Sequence, residues 1–315
     1  MREAVPAGDD ARASPPDWPA LVRLEPLVRG KVRHLYRIDG GKLLMVASDR
    51  LSAFDVVFPE PVPGKGRVLT ALSRFWFAAT RSLVPNHLLE ERPEAILGAD
   101  APRWLLARSL VVRSLSPLPL EAVVRARLAG SAWAEYRRTG RVGGHALPPG
   151  LRLGDALPTP LFTPSWKAPA GEHDRAVDED EYTELAGGPE RAAQVRELSL
   201  LLFAQATRHA AARGIVLADT KFEFGHDGAG RLVLIDELLT PDSSRYWDAT
   251  LLTPGLTPPS YDKQPVRDYL ESTGWNKTPP PPPLPAALVA DLARRYEAIT
   301  ARLTAAPAGP QPTGE

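Results

Sequence analysis

Cysteine is absent from all 315 residues. That excludes disulfides, thiolate metal sites and cysteine nucleophiles together. Net charge is absent as well, because 38 Lys and Arg balance 38 Asp and Glu. Without a basic excess, nothing in the overall charge argues for nucleic acid or an anionic membrane, although local basic clusters can still hold small anions. No apolar run approaches the roughly 18 residues that a bilayer span requires. Residues 1–17 are polar and rich in Ala and Pro, without the apolar centre of a secretory signal. A cytoplasmic location is the simplest expectation. Histidines are few; His34, His87, His145, His209 and His226 lack metal-ligand spacing, and His173 adjoins Asp174 in a long loop. No G-x-x-x-x-G-K-[ST] phosphate loop occurs.

What is present describes a globular chain, with 43% hydrophobic and 24% charged residues and enough length for two lobes. Proline is abundant at 34 residues, and the unbroken run 279–283 reads as a stiff extended connector. Residues 1–17 and 306–315 read as disordered tails. Strands are expected over 30–38 and 42–47, joined by Asp39-Gly40-Gly41, with 55–58 continuing the sheet. Further strands over 107–113 and 121–127 are split by the proline-rich 116–120, which suits a hinge between lobes. Helices are expected over 68–83, 131–138 (stopped by Gly140), 190–213 (stopped by Gly214), 266–272 and 284–303. Residues 141–188 read as loop-rich. Sheet-first, helix-later order favours an α+β protein with a mainly antiparallel N-terminal sheet. The expected division is 18–116 for a nucleotide-phosphate lobe and 117–305 for a substrate and metal lobe.

The most informative stretch is D-T-K-F-E-F-G at 219–225. Alternation along a strand puts Asp219, Lys221 and Glu223 on one face and Thr220, Phe222 and Phe224 on the other. The H-D-G-A-G that follows turns the chain back into a second, apolar strand over 231–235 that ends in Asp236-Glu237. Acids at the end of a hairpin, facing a row of acid and base, suit a hard cation with phosphate. A solvated strand face with surface ion pairs is the alternative.

Other segments could hold anions. In R-G-K-V-R-H at 29–34, a glycine followed by alternating Lys31 and Arg33 could lie over a triphosphate, or be an ordinary basic strand. S-D-R-L-S-A-F-D at 48–55 and P-G-K-G at 63–66 place polar groups and glycines where a surface or cleft is expected. Arg125 ends a strand shortly before Gly130-Ser131 opens a helix; Ser131 is either a plain N-cap or part of an anion site. Arg245 follows T-P-D-S-S and could clamp a phosphate or carboxylate.

Taken together, these motifs resemble the SAICAR synthetase family of purine biosynthesis. The resemblance rests on G-K-V-R-x-x-Y at 30–36, S-D-R-L-S-A-F-D-V-V at 48–57, P-G-K-G at 63–66 and V-V-R-A-R-L-A-G-S-A-W at 123–133. It continues through D-T-K-F-E-F-G at 219–225, L-I-D-E-L-L-T-P-D-S-S-R-Y-W at 234–247 and Y-D-K-Q-P-V-R-D at 261–268. The family's fold implies two lobes with the active site in the cleft, the N-terminal one comparable to a protein-kinase nucleotide lobe by analogy only. Its reaction implies ATP and Mg2+, with L-aspartate and 5-amino-1-(5-phospho-D-ribosyl)imidazole-4-carboxylate as small-molecule substrates, and no nucleic-acid or membrane partner. Oligomeric state stays open between monomer and homo-oligomer.

The resemblance also implies roles. Gly30, Lys31 and Arg33 cover the ATP phosphates, and residues 113–121, ending in Glu121, hold the adenine. Glu223 and Asp236 bind the metal, with Glu237 in support. Arg125, Ser131 and Arg245 take the ribonucleotide, while Asp219 and Lys221 are the catalytic candidates. Asp262, Lys263 and Arg267 lie on the substrate side. Trp166 and Arg175 depart from the family pattern in the long loop, as does Pro265. A kinase is disfavoured because H-R-D-x-x-x-x-N and D-F-G are absent. A nucleotide-binding regulator that has lost turnover would lack one of the acids or Lys31, and all are present.

Overall fold

The computed structural model describes residues 21, 23–168 and 174–306. The tail expected at 1–17, all of the tail expected at 306–315 except Ala306, and His173 lie outside the described residues. By contact clustering the chain forms two compact units. One takes the described residues up to 75 with His87–Ser114 and Lys263–Thr300; the other takes Trp76–Asn86, Leu115–Asp262 and the described residues from 301 onward. Residues 263–300, read from sequence as part of the second lobe, therefore group with the first sheet.

The first unit is built on a four-stranded antiparallel sheet in the order Glu25–Arg29, Arg33–Ile38, Lys42–Ala47, Ser109–Arg113. The expected hairpin closes at the Ile38↔Lys42 pair, and Gly40 and Gly41 take positive φ in its turn. Lys42–Ala47 is buried almost throughout because the sheet is covered on both faces. Leu44, Val46 and Val111 pack with Tyr36, Leu97 and Leu105, while Leu43 and Met45 pack with Leu110 and Val112. The segment 55–58 does not continue this sheet. It belongs to a separate small hairpin, Ser52–Ala53 with Val56–Val57, whose turn residues Phe54 and Asp55 both have positive φ.

The second unit holds an eight-stranded sheet. Its main path is Arg175–Ala176, Ser165–Trp166, Leu120–Arg127, Ile215–His226, Leu232–Ile235; Ala156–Phe162 also pairs with Leu120–Arg127, and Ser244–Asp248 and Ser116–Pro117 pair with Ile215–His226. The helix Pro189–Ala211 packs on the two central strands and buries Val195, Leu202, Phe203, Ala206 and Ala210 at helical spacing. Gly214, at φ 67°, follows it as expected. Thr220, Phe222 and Phe224 are essentially inaccessible. Each buried phenylalanine contributes on the order of 2 kcal/mol, which fixes the face on which Asp219, Lys221 and Glu223 must lie.

The described residues of 141–188 hold more regular structure than a loop-rich reading implies. They contain the strand Ala156–Phe162 and the helix Glu179–Ala186, whose N-cap Asp178 accepts a hydrogen bond from Glu181 N. Among the described residues, no helix is long and apolar enough to cross a membrane.

Candidate active site

Antiparallel register assembles the first half of the site. Asp219 stands opposite Arg125 on one neighbouring strand and opposite Arg245 on the other. Three adjacent strands thus deliver two guanidinium groups to one carboxylate. Arg245 Nη1 donates to Asp219 Oδ2, Arg125 Nη1 lies 3.7 Å from the same oxygen, and Asp262 Oδ2 lies 3.5 Å from Arg245 Nε. Asp219, Arg245 and Asp262 are all buried. Burial pulls the Arg125 pKa below the ordinary arginine value, and Asp219 opposes that shift. Arg125 Nε donates to Thr163 Oγ1 at 2.9 Å and Nη2 reaches Ser131 Oγ at 3.4 Å.

Ser131 is not an N-cap. The helix Gly130–Thr139 is preceded by Ala129 at that position, with no side-chain cap, so the Ser131 hydroxyl is turned to Arg125 instead. Gly130 has φ 51°, and a Cβ there would sit 3.0 Å from Arg245 Nη2. Glycine lets the helix N-terminus abut the guanidinium. Two arginines, a serine hydroxyl and a helix N-terminus are brought together here, donor groups of the kind that bind phosphate.

The second half lies farther along the same strand. Lys221 Nζ is paired with Glu121, and Lys167 Nζ with Glu223. Glu223 is opposite Ile235, so the next residue of the returning strand, Asp236, comes close to it. Burial and Asp236 both raise the Glu223 pKa, against Lys167 and Lys221. Burial works against the Lys221 ammonium, but Glu121 and Glu223 outweigh it and hold its pKa above the usual lysine range. Asp236 has φ 63°, a strained conformation that a short polar side chain tolerates and that functional sites often retain. Glu237 accepts from Thr240 Oγ1 at 2.6 Å, and its charge adds to the field that favours the Lys221 ammonium. Among the described residues, no group of three or more His, Asp or Glu forms a metal cage. Two close acids suit Mg2+ held jointly by protein and substrate phosphates, the usual arrangement for that ion.

The remaining candidates sit in the first unit. Gly30 N donates to Arg33 O at 2.9 Å, and a Cβ on Gly30 would stand 2.6 Å from that oxygen. Lys31 pairs with Asp55, and Arg50 Nη2 donates to the Gly30 carbonyl. Arg33 is half-buried on its strand. Lys263 Nζ donates to Ser52 O at 3.1 Å, and Arg267 is half-buried on the helix Gln264–Ser272.

Two expectations about this region are corrected. Ser48 and Asp49 do not line a surface; both are buried. Ser48 Oγ donates to Val32 O, while Asp49 accepts from Gly66 N at 2.8 Å and from Arg108 Nη2 at 3.1 Å. The glycine at 66 serves the protein's own packing, since a Cβ would lie 2.5 Å from Ala47 O, and Lys65 is fully buried.

Sequence reasoning gave no role to Lys167 or Thr163. Lys167 was visible only as a base in a proline-flanked loop, and Thr163 carried no signal before the strand pairing was known.

Comparison with known proteins agrees with this geometry. The model of the family described as SAICAR synthetase matches residues 26–282. The phosphoribosylaminoimidazole-succinocarboxamide synthase of Thioalkalivibrio sulfidiphilus is 53% identical over 287 residues, covering 91% of this chain and 97% of the relative. That of Methylibium petroleiphilum is 51% identical, covering 90% and 96%. Among solved structures, the Saccharomyces cerevisiae SAICAR synthase complexed with SAICAR superimposes with a TM-score of 0.79 at 38% identity, covering 89% of this chain and 95% of that one. A SAICAR synthetase in complex with ADP gives a TM-score of 0.65 at 27% identity, covering 90% and 100%.

An α+β frame together with these relatives defines an ATP-dependent carbon–nitrogen ligase. Within that class, the chain belongs to the SAICAR synthetase family. Its reaction joins L-aspartate to the carboxylate of an aminoimidazole ribonucleotide at the expense of ATP, in purine biosynthesis.

Proposed function

We propose that the sheet of the second unit binds the aminoimidazole ribonucleotide along the strand Ile215–His226. Arg125, Ser131 and Arg245 take its phosphate, and Glu223 and Asp236 hold Mg2+ at the reacting end. The observation that carries this reading is the register of three strands, which sets Arg125, Asp219 and Arg245 in one row. Glu223 lies four residues along the same strand, about 13 Å away at ordinary strand rise. A monophosphorylated heterocycle can bridge such a span.

A carboxylate resists attack because it is anionic and its leaving group is oxide. In the proposed sequence, a substrate carboxylate oxygen attacks the γ-phosphorus and ADP departs. The neutral aspartate amine then forms the C–N bond, phosphate leaves, and the nitrogen gives up a proton. Both steps call for charge neutralisation and alignment more than for a protein nucleophile. Mg2+ bound at Glu223 and Asp236 would draw charge from the phosphate oxygens. Lys221 remains charged throughout the neutral range and can stabilise the transferring phosphoryl group. Asp219 fixes the two arginines, and Asp262 braces Arg245. Gly30, Lys31 and Arg33 would cover the nucleotide phosphates. Glu121 anchors Lys221 and borders the segment proposed for adenine. Lys263 and Arg267 are kept as substrate-side residues of the first unit.

The test is substitution at the acids. Glu223→Gln and Asp236→Asn should each lower kcat by at least about a hundredfold, with an unchanged circular-dichroism spectrum. Near-normal turnover in either would remove the metal assignment.

A further inference from the structure

Lys167 has no part in the reaction as derived so far, yet its ammonium is bonded to the buried Glu223 and lies within the field of Asp236. Its position is unusually well supported for a residue in a connecting segment. It directly follows Ser165–Trp166, a two-residue strand paired with Leu120–Glu121 on one side and Arg175–Ala176 on the other. Lys167 N donates to Pro119 O at 3.1 Å. Across the ribbon, the Arg175 guanidinium lies 5.1 Å from the centre of the Trp166 ring. Arg175 also makes a two-pronged contact with Glu181, Nη1 to Oε2 at 2.7 Å and Nη2 to Oε1. Glu181 is fixed in the first turn of its helix, where its N–H bonds the N-cap Asp178. Stacking and a bidentate ion pair thus lock the residue next to the lysine.

We propose that Lys167 is a resident counter-ion for the Glu223–Asp236 pair, held in place by the Trp166–Arg175–Glu181 clamp, and that it yields the acids to an arriving divalent cation. The inference rests on the reading of these acids as the metal pair. Two carboxylates near each other repel, and Lys221, another nearby base, is paired with Glu121. Lys167 relieves that repulsion while the pair is unmetallated. With its side chain 41% exposed, it can swing toward solvent when displaced. The device keeps the acids from capturing a bare cation and favours a cation that arrives with nucleotide phosphates, because those supply the remaining ligands.

Binding of Mn2+ alone to the full-length protein, followed by electron paramagnetic resonance or calorimetry, tests this. Lys167→Met should bind Mn2+ about tenfold more tightly than wild type, since one positive charge beside the acids is gone. Lys167→Arg should restore the wild-type affinity. Arg175→Met, which keeps the lysine but loosens it, should shift affinity the same way by about threefold. A purely structural role for Lys167 would leave Mn2+ affinity unchanged or weaken it. Either result in natively folded Lys167→Met overturns the counter-ion, and unchanged affinity in Arg175→Met removes the clamp. Glu223→Gln separates the two levels. If it loses Mn2+ binding while Lys167→Met is unaltered, only the counter-ion fails; if it binds Mn2+ like wild type, the metal pair fails and the counter-ion with it.

Discussion

His34 shows how a single side chain ties burial to pH. Its ring is almost fully enclosed, with Nε2 3.3 Å from Arg50 Nη2. Arginine can only donate, so Nε2 accepts and the neutral ring carries its proton on Nδ1. Burial, then Arg50 and Arg29, push the pKa down to about 4. The unfolded chain restores it to about 6.5 and therefore takes up a proton that the folded protein refuses. Stability from this residue is complete above pH 6.5 and is lost as pH falls toward 4. Melting temperature measured across that window should fall less steeply in His34→Gln than in wild type, and equal slopes would clear His34 of the effect. Arg245 is the second informative residue. Arg245→Ala strips charge from buried Asp219 and Asp262 and should cost about 3 kcal/mol. Arg245→Lys keeps the charge but not the planar fork. It should raise KM for the ribonucleotide about tenfold with little change for ATP in steady-state kinetics, and the opposite ranking would move Arg245 to the nucleotide side. The motifs of Arg125 and Arg245 suggested candidates for binding an anion. Their shared carboxylate was not legible, because strand partners far apart in sequence leave no local mark.

At the scale of elements, the start of the helix Lys65–Thr80 is the most sensitive point. Gly66 N is held by Asp49, and the Cα faces the Ala47 carbonyl so closely that a methyl group would overlap it. The obstacle is backbone within a buried strand and cannot swing aside. Gly66→Ala should cost about 2 kcal/mol in urea denaturation; a loss below about 0.5 kcal/mol would show that the loop can shift. The regular elements with strong periodicity were legible: Lys42–Ala47, Gly130–Thr139 and Pro189–Ala211 all lie within two residues or so of their expected bounds. Glu179–Ala186 was not anticipated, although Asp178 and Glu181 form a capping pair and Gly187 closes the helix in the left-handed conformation. The strand Ser244–Asp248 was hidden by its own chemistry. Serine and arginine read as an exposed turn, but here they are buried because Thr220 and Asp219 satisfy them.

For the whole molecule, the reaction makes a demand that no single residue does. If the chain works by aligning ATP, ribonucleotide and aspartate, ADP release should require both co-substrates. Release at an equal rate without aspartate, in a coupled assay, would instead indicate an idle ATPase. The chain's path belongs to this scale as well. Residues 263–300 return to the unit of the first sheet through contacts such as Lys263 with Ser52 and Arg67 with Glu297, at separations of 211 and 230 residues. Local propensity carries no information over such distances. The strongly periodic strands and helices, the α+β class, the two-faced strand at 219–224 and the family itself were determined by the sequence alone, because periodicity and long contiguous motifs are local properties. Tertiary structure alone decided that Asp219 is shared by two arginines, that Ser131 serves Arg125 instead of capping its helix, that Asp49 is a buried brace, and that Lys167 pairs with the buried Glu223. Each of those is a pairing of charges or donors across strands and turns, and burial makes such a pairing strong only once the fold has excluded water from it.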